Sequence, residues 1–225
     1  MIEALIFDVF GTCVDWRNSV ARDVSECFPQ IDALAFADHW RGLYQPAMET
    51  IRSGSRDYVK LDELHLMNLR ATCEAFSVTP RNETELNRAW ERLDPWSDVV
   101  PGLTMIKRSH IIAPCSNGSI GLMTRLAKYG GLPWDAIVGA DIAKDYKPKP
   151  ITYLASCDAL QCRPERVVMV AAHNDDLAAA RSAGLKTAFV SRPTEHGTNQ
   201  MTDLEPSEVW DFIATDFIDL ARQLA

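Results

Sequence analysis

The chain begins with a short apolar run that ends on an acidic residue. Ala4–Phe7 has the length of a buried strand, Asp8 follows it directly, and Gly11 and Thr12 come next. A carboxylate at the carboxyl end of a parallel strand faces the crevice in which open α/β sheets bind ligands. Gly11 permits a sharp turn there, and Thr12 brings a hydroxyl beside the acid. Asp8 is therefore a candidate functional residue, although a surface acid in an ordinary turn has the same local pattern.

A long segment with helical periodicity follows this first run. Between about residues 16 and 97, apolar side chains recur three or four positions apart, for example at Phe36, Trp40 and Leu43. Breaks in the pattern fall at the turn-forming residues Pro29, Gly54, Pro80 and Pro95. The pattern predicts about eighty residues of helix inserted directly after the first strand.

From about residue 98 the pattern changes to alternating strands and helices. The later predicted strands cover residues 110–115, 136–139, 167–171 and 187–190. Predicted helices follow residue 118 and cover about 150–160, 176–182 and 216–224. The fully apolar run 167–171 is typical of a central strand. Such alternation predicts an α/β fold, with a doubly wound, Rossmann-like parallel sheet and helices on both of its faces.

These two patterns predict the domain organisation. We expect a Rossmann-like core domain formed by residues 1–14 and 98–225, with an all-helical cap domain, residues 15–97, inserted into it. The polar stretch 193–206 is predicted to be a loop.

Composition narrows the possible functions. A net charge of −8 argues against a general nucleic-acid binder. No apolar run reaches the roughly 18 residues of a membrane span, and no signal peptide precedes the first strand. The six cysteines are dispersed, and the histidines lack metal-ligand spacing. We therefore expect a soluble cytoplasmic protein with reduced thiols, no membrane or nucleic-acid partner, and no metal or other cofactor.

Polar residues follow four of the predicted strands. They are Asp8 and Thr12 after the first, Ser116 and Asn117 after the second, Lys147 after the third, and His173 and Asp176 after the fourth. Each group alone has an ordinary explanation, since Ser-Asn-Gly is commonly a turn and Asp-Asp a helix start. In a doubly wound sheet, however, these strand ends open into one crevice. Together they indicate a single site.

In the order of these residues the chain resembles the haloacid dehalogenase superfamily over nearly its whole length. Phosphatases of that superfamily read D-x-D-G-T after the first strand and G-D-x-x-x-D after the fourth. Here Phe10 replaces the phosphatase's general acid, Ala172 stands at the first acid of the last motif, and Asp176 stands at the second. Mg²⁺ needs oxygen ligands from both motifs, and phosphoryl transfer depends on Mg²⁺. These departures argue against a phosphatase.

The closer resemblance is to the (S)-2-haloacid dehalogenases of type II. The matching residues are Phe10 two after the nucleophile, Trp40-Arg41 in the cap, Ser116-Asn117-Gly118, Lys147-Pro148, and Tyr153 six residues beyond that lysine. The last motif departs from part of the family, because His173 stands where some members carry asparagine. A subset with Ala-Ala-His-Asn is more similar to this chain.

The resemblance implies hydrolytic dehalogenation of short 2-haloalkanoic acids, namely haloacetates and (S)-2-halopropionate. Asp8 would attack the halogen-bearing carbon with inversion, and water would hydrolyse the resulting aspartyl ester to give a 2-hydroxy acid, without a metal. The helical cap would close the pocket and exclude water. The implied partners are the 2-halocarboxylate and the halide, and a homodimer is implied as the assembly.

Substrate-binding roles follow from the same resemblance. Arg41 would stabilise the departing halide as a catalytic residue and contact the substrate, because a delocalised guanidinium suits a large anion. Phe10 would line the pocket. Ser116 and Asn117 would hold the substrate carboxylate at a helix start.

The remaining residues would control charge and water. Lys147 would keep Asp8 ionised, and Thr12 would donate a hydrogen bond to it. Tyr153 would bond Lys147 or Asp8, although a packed core tyrosine is an equal alternative. His173 would orient water or be a buried structural histidine. Asp176 would either activate the water or orient Lys147.

Other activities stay open from the sequence. The same attack by Asp8 would open the strained ring of azetidine-2-carboxylate, which also resembles this family's chemistry. A phosphatase of the superfamily and a catalytically silent binding module are the remaining alternatives.

Overall fold

A six-stranded parallel sheet forms the centre of the computed structural model, which describes residues 1–225. The strands of the protein are β1 (Ala4–Phe7), β2 (Val14–Asp15), β3 (Asp94–Pro95), β4 (Ile111–Ser116), β5 (Val138–Gly139), β6 (Val167–Ala171), β7 (Lys186–Val190) and β8 (Phe212–Ala214). Six of them pair in the order β5-β4-β1-β6-β7-β8, and β2 and β3 form a separate antiparallel ribbon. Every neighbouring pair in the large sheet is parallel.

β1 lies in the interior of this sheet, between β4 and β6. Leu5, for example, pairs with Ile112 on one side and with Val168 on the other. All four β1 residues are buried, as expected for a strand that is covered on both faces. The chain emerges from β1 where the connections turn to opposite sides of the sheet, which is where open α/β sheets bind ligands.

Eleven α-helices surround the strands. They are α1 (Trp16–Cys27), α2 (Ala33–Gly42), α3 (Tyr44–Arg52), α4 (Leu61–Ala75), α5 (Glu83–Asn87), α6 (Val99–Ile106), α7 (Ile120–Gly130), α8 (Ala140–Ala143), α9 (Pro150–Ala159), α10 (Asn174–Ser182) and α11 (Phe217–Gln223). The first five lie between β2 and β3 in the chain. None of the eleven is long and apolar enough to cross a membrane.

Alternate residues of β1 face two different hydrophobic cores. Leu5 and Phe7 belong to a large cluster that includes residues of α6, α7 and α11. Ala4 and Ile6 belong to a smaller cluster with residues of α9 and α10. Helices therefore cover both faces of the parallel sheet, which confirms the predicted α/β, Rossmann-like architecture.

Local sequence signals account for several helix starts. The side chains of Asp15, Asp32, Ser119 and Asp216 each accept a hydrogen bond from a backbone N–H in the first turn of α1, α2, α7 and α11. Pro150 stands in the first turn of α9, where its missing N–H has no partner to lose.

The structure differs from the predicted elements at several positions. The short elements β2, β3, α6 and α8 were not predicted. α10 begins at Asn174 rather than at residue 176, and β5 is only the two residues Val138–Gly139. The edge strand β8, Phe212–Ala214, was not predicted. Three residues are too few for a periodic pattern, and β8 forms only because its backbone pairs with β7.

Gly139 is expected to be intolerant of substitution, because it approaches the backbone at the end of β4. Its φ is +114°, and a Cβ there would lie 2.3 Å from the carbonyl oxygen of Ser116. Gly139→Ala should lower the free energy of unfolding by about 2–4 kcal/mol through strain and overpacking, measured by urea denaturation. Gly42→Ala is the control, since a Cβ there meets nothing within 4 Å. Equal stability of the two variants would contradict this expectation.

Candidate active site

Asp8 lies directly beyond β1, buried in the middle of the sheet edge. Its backbone N–H extends the ladder by donating to Val170 O at 2.9 Å. Thr12 Oγ1 donates to Asp8 Oδ2 at 2.7 Å, and Lys147 Nζ donates to Oδ1 at 2.8 Å. Burial alone would raise the pKa of Asp8, but the Lys147 ammonium and the His173 ring outweigh it and hold this pKa well below its usual range. The carboxylate is therefore ionised at neutral pH.

Lys147 is a buried cation that joins two carboxylates. Its Nζ donates both to Asp8 and to Asp176 Oδ2. Burial opposes its charge, but the two carboxylates outweigh burial and raise the pKa of Lys147. The backbone is fixed as well, because Lys147 N donates to Asn117 Oδ1 and Arg52 Nη1 donates to Lys147 O, each at 2.8 Å. Arg52 belongs to α3, so the helical segment contacts the lysine loop.

Asp176 has donors on both carboxylate oxygens. Lys147 Nζ binds Oδ2, and the hydroxyl of Tyr153 donates to Oδ1. Burial raises the pKa of Asp176 and the Asp8 carboxylate adds to this, while Lys147 opposes it. Tyr153 is completely buried and bonds Asp176 rather than Lys147 or Asp8, the partners predicted from the sequence.

His173 lies between Asp8 and a second buried acid, Glu195. The Nδ1 of His173 is 3.2 Å from Asp8 Oδ2, and its Nε2 is 2.8 Å from Glu195 Oε2. Burial alone would lower the pKa of His173, but the Glu195 and Asp8 carboxylates outweigh it and raise this pKa well above 6.5. The same contact lowers the pKa of Glu195 against the effect of burial.

Two neighbouring residues fix the position of the Glu195 carboxylate. Trp16 Nε1 donates to its Oε1 at 2.9 Å. Gly11, with φ of +90°, packs against the carboxylate so closely that a Cβ at this position would lie 2.0 Å from Oε1. Only glycine leaves room for the acid at this turn.

The loop that carries Glu195 also contacts the turn that follows Asp8. Arg192 Nε donates to Thr12 O at 2.9 Å, and its guanidinium bonds both carboxylate oxygens of Asp98 at 3.0 and 2.8 Å. The Glu195 carboxylate therefore has a fixed position relative to Asp8. Sequence reasoning missed Glu195 because it read residues 193–206 only as a polar loop. The available signal was an acid soon after the end of β7, at the same edge of the sheet.

Arg41, from α2, places its guanidinium group among aromatic side chains. Its guanidinium carbon lies 3.9 Å from the ring centre of Tyr44, 5.4 Å from that of Trp16 and 5.8 Å from that of Phe10. Its Nη1 is buried and has no hydrogen-bond partner. A buried N–H donor among aromatic faces is suited to a weakly hydrated anion.

The cavity has a volume of about 700 Å³. Seven of the residues predicted from the sequence line it: Asp8, Phe10, Arg41, Asn117, Lys147, His173 and Asp176. Three others, Thr12, Ser116 and Tyr153, are fully buried outside its lining. Thr12 donates a hydrogen bond to Asp8, and Tyr153 donates one to Asp176, so both contact residues of the lining. Ser116 Oγ instead accepts a hydrogen bond from Gly118 N at 3.1 Å. The substrate-binding role of Ser116 stays a prediction.

The residues at this site do not fit the Mg²⁺ of the phosphatase members. Phe10 and Ala172, two of the positions that matter for phosphatase chemistry, carry no oxygen in their side chains. Lys147 Nζ already lies between Asp8 and Asp176, the two carboxylates that remain. No group of three His, Cys, Asp or Glu side chains is placed to hold a metal ion.

Comparison with known proteins assigns the family. A family model for haloacid dehalogenase-like hydrolases matches residues 2–184. The crystal structure of a defluorinating L-2-haloacid dehalogenase has a TM-score of 0.97 and 48% identity to this chain, covering 99% of this chain and 95% of that one. The chain belongs to the haloacid dehalogenase-like hydrolases, in the L-2-haloacid dehalogenase family.

Two further members of this family are similar over comparable lengths. A second L-2-haloacid dehalogenase of known structure has a TM-score of 0.96 and 41% identity, and all of each chain is covered. The (S)-2-haloacid dehalogenase 4A of Burkholderia cepacia is 27% identical over 221 residues, covering 91% of this chain and 94% of that protein. The resemblance seen in the sequence motifs is thereby confirmed.

Proposed function

We propose that this protein hydrolyses haloacetates and (S)-2-halopropionate to 2-hydroxy acids, through an ester on Asp8 and without a metal ion. One observation carries the proposal: the ionised Asp8 carboxylate and the unpartnered Nη1 of Arg41 belong to the same cavity. A nucleophile and a free anion donor are the two groups that displacement of a halide needs. The activities named for the three relatives support this assignment.

In the first half-reaction, an Asp8 oxygen attacks the carbon that bears the halogen. The new C–O bond forms as the C–X bond breaks, and the bonding electron pair leaves with the halide. Arg41 stabilises the halide, while the rings of Phe10 and Tyr44 exclude water from it. Asn117 lies in the same lining and binds the substrate carboxylate, and Ser116 precedes it at the end of β4. Lys147 keeps Asp8 ionised before the attack.

In the second half-reaction, water adds to the carbonyl carbon of the Asp8 ester. Cleavage of the acyl C–O bond releases the 2-hydroxy acid and restores the Asp8 carboxylate. Because the halogen-bearing carbon is attacked only once, its configuration is inverted overall. One proton and one halide ion are released in each turnover.

We also propose the organisation around this site. Residues 15–97 act as a cap domain over a core domain of residues 1–14 and 98–225, and the cap supplies Arg41 to the cavity and Arg52 to the lysine loop. The enzyme is proposed to be a cytoplasmic homodimer whose partners are the 2-halocarboxylate and the halide, not nucleic acid or membrane. The net charge of −8 and the family membership support this picture.

The decisive experiment measures halide release from chloro-, bromo- and fluoroacetate and from each enantiomer of 2-chloropropionate, with and without EDTA. We expect release from the haloacetates and from the (S) enantiomer only, with (R)-lactate as the product of the latter and no effect of EDTA. Fluoroacetate is included because a relative that is 48% identical is a defluorinating enzyme. No halide from any substrate, or Mg²⁺-dependent cleavage of an aryl phosphate instead, would contradict the proposal.

A further inference from the structure

Lys147 lies in a loop, although its ammonium has to be placed accurately. Residues 144–149 connect α8 to α9 without forming a helix or a strand. The Nζ of Lys147 nevertheless donates to Asp8 Oδ1 at 2.8 Å and to Asp176 Oδ2. Because a lysine side chain is a flexible four-carbon stem, its ammonium has a constant position only if the backbone is fixed. The contacts that fix this backbone therefore bear on the nucleophile.

Two side chains hold the backbone of Lys147 from opposite sides of the residue. Its N–H donates to Asn117 Oδ1, and its carbonyl oxygen accepts from Arg52 Nη1, each at 2.8 Å. Asn117 directly follows β4 of the sheet, whereas Arg52 is the last residue of α3. The catalytic lysine is thus held jointly by the sheet and by the helical segment inserted after β1.

Arg52 is itself fixed by its own helix. Its side chain is only 10% exposed, and its Nε donates to Glu49 Oε2 at 2.8 Å. Both Nη atoms also lie 3.1 Å from Gln45 Oε1. A guanidinium presents its donors in a rigid planar fork, so these contacts leave Nη1 directed at Lys147 O.

The residue before Lys147 is held by the same part of the chain. Tyr146 is completely buried, and its hydroxyl donates to Val59 O at 2.7 Å. Its ring packs against that of Tyr58, with 5.5 Å between the ring centres. Two consecutive residues of the lysine loop are therefore bonded to residues that lie between α3 and α4 or at the end of α3.

Taking the proposed function as given, we infer that Arg52 is a positioning residue for the reaction. By holding the carbonyl group of Lys147, it keeps the ammonium of that lysine on the Asp8 carboxylate. Arg52 does not line the cavity, so it acts through Lys147 rather than on the substrate. Since α3 also contributes Tyr44 and Gln45 to the cavity lining, one helix both forms part of the pocket wall and places the catalytic cation.

Two other roles for Arg52 predict different results. Arg52 could act through Gln45, since its guanidinium contacts the Oε1 of that cavity residue. It could also contribute to stability alone, as any partly buried arginine does. Only a role through Lys147 requires the effect of removing Arg52 to disappear when the ammonium of Lys147 is absent.

The first test measures the rate of halide release from chloroacetate in a single turnover by rapid quench. Arg52→Ala should lower the rate constant about 10-fold, because the displaced ammonium leaves the nucleophile poorly oriented. The half-saturating chloroacetate concentration should change less than about twofold, since Arg41 and Asn117 stay in place. Arg52→Lys should lose only about 3-fold, since an ammonium can still donate to Lys147 O.

The matched control is Arg70→Ala on α4. It also removes an arginine that is paired with a glutamate, Glu83, but at an exposed position away from the lysine loop. This variant should release halide at the unmodified rate.

The second test is a double-mutant cycle. In a Lys147→Met background, Arg52→Ala should cause no further loss, because the ammonium that Arg52 positions is already gone. A role through Gln45, or a general loss of stability, would instead lower the rate of Lys147→Met by the same factor again. If Arg52→Ala does not fold, the cycle with Arg52→Lys decides, since its smaller loss should likewise vanish in the Lys147→Met background.

The outcomes separate this inference from the proposed function. Additive losses in the cycle, or an unmodified first-turnover rate in folded Arg52→Ala, would overturn the inference and leave the proposed function standing. If the unmodified enzyme releases no halide, the proposed function itself fails and the inference falls with it.

Discussion

Asp8→Asn is expected to lower the rate of halide release by about 10⁴-fold or more, since this substitution removes the nucleophile itself. An amide lacks the charge that drives displacement, and its NH₂ group would face the Lys147 ammonium that now donates to Asp8. Halide release and mass spectrometry of the quenched protein both check this, and neither halide nor a covalent adduct should be found.

The control for Asp8→Asn is Asp158→Asn, which removes one negative charge from an exposed position on α9. This variant should retain the unmodified rate. Substantial halide release by a folded Asp8→Asn protein would rule out the ester mechanism, whatever the control shows.

Lys147→Met is expected to damage both stability and activity, because it leaves two buried carboxylates without their shared cation. Removing one partner of a buried ion pair lowers the free energy of unfolding by about 3–5 kcal/mol. For a chain of this size, that corresponds to a fall in melting temperature of roughly 10 °C. Without the ammonium, the pKa of Asp8 rises. The Asp8 carboxylate also loses the donor that holds it in position, and halide release should fall by about 100-fold or more.

Calorimetry at several pH values tests the electrostatic origin of this stability loss. In the unmodified protein the pKa of Asp8 is depressed by Lys147, so its contribution is present above the ordinary value of 3.8 and is lost as pH falls below it. The stability difference between the two proteins should therefore be large at neutral pH and shrink below pH 3.8. Lys149→Met removes an exposed lysine two residues away and should change little. A pH-independent difference would mean that lost packing, rather than charge, is responsible.

The sheet and most of the residues that line the cavity could be predicted from the sequence for one physical reason. Buried parallel strands give short apolar runs, and their carboxyl ends share one edge of the sheet. Asp8, Asn117, Lys147 and Asp176 each follow such a run, or a loop after one, so local patterns were enough to bring them together. Arg41 of α2 was predicted from the motif resemblance, and it lies in the lining as well.

Contacts between residues far apart in the chain could not be predicted from the sequence. Glu195 owes its position to Trp16, 179 residues earlier, and no local pattern records that pairing. Lys147 or Asp8 was predicted as the partner of the Tyr153 hydroxyl, whereas the partner is Asp176. A sequence pattern can place a residue on one face of a helix, but it cannot position the side-chain oxygen to within a few ångströms. The short strand β8 was missed for a similar reason, since its backbone partner alone defines it.

The contact between the turn after Asp8 and the Glu195 loop also determines when the site can form during synthesis. Asp8 leaves the ribosome among the first residues, whereas Arg192, which donates to Thr12 O, lies 180 residues beyond that threonine. Contacts of such separation form late, because a long loop must close first. A growing chain therefore contains Asp8 long before it contains Glu195, the acid that contacts His173. The site can be complete only after the last fifth of the polypeptide has been made.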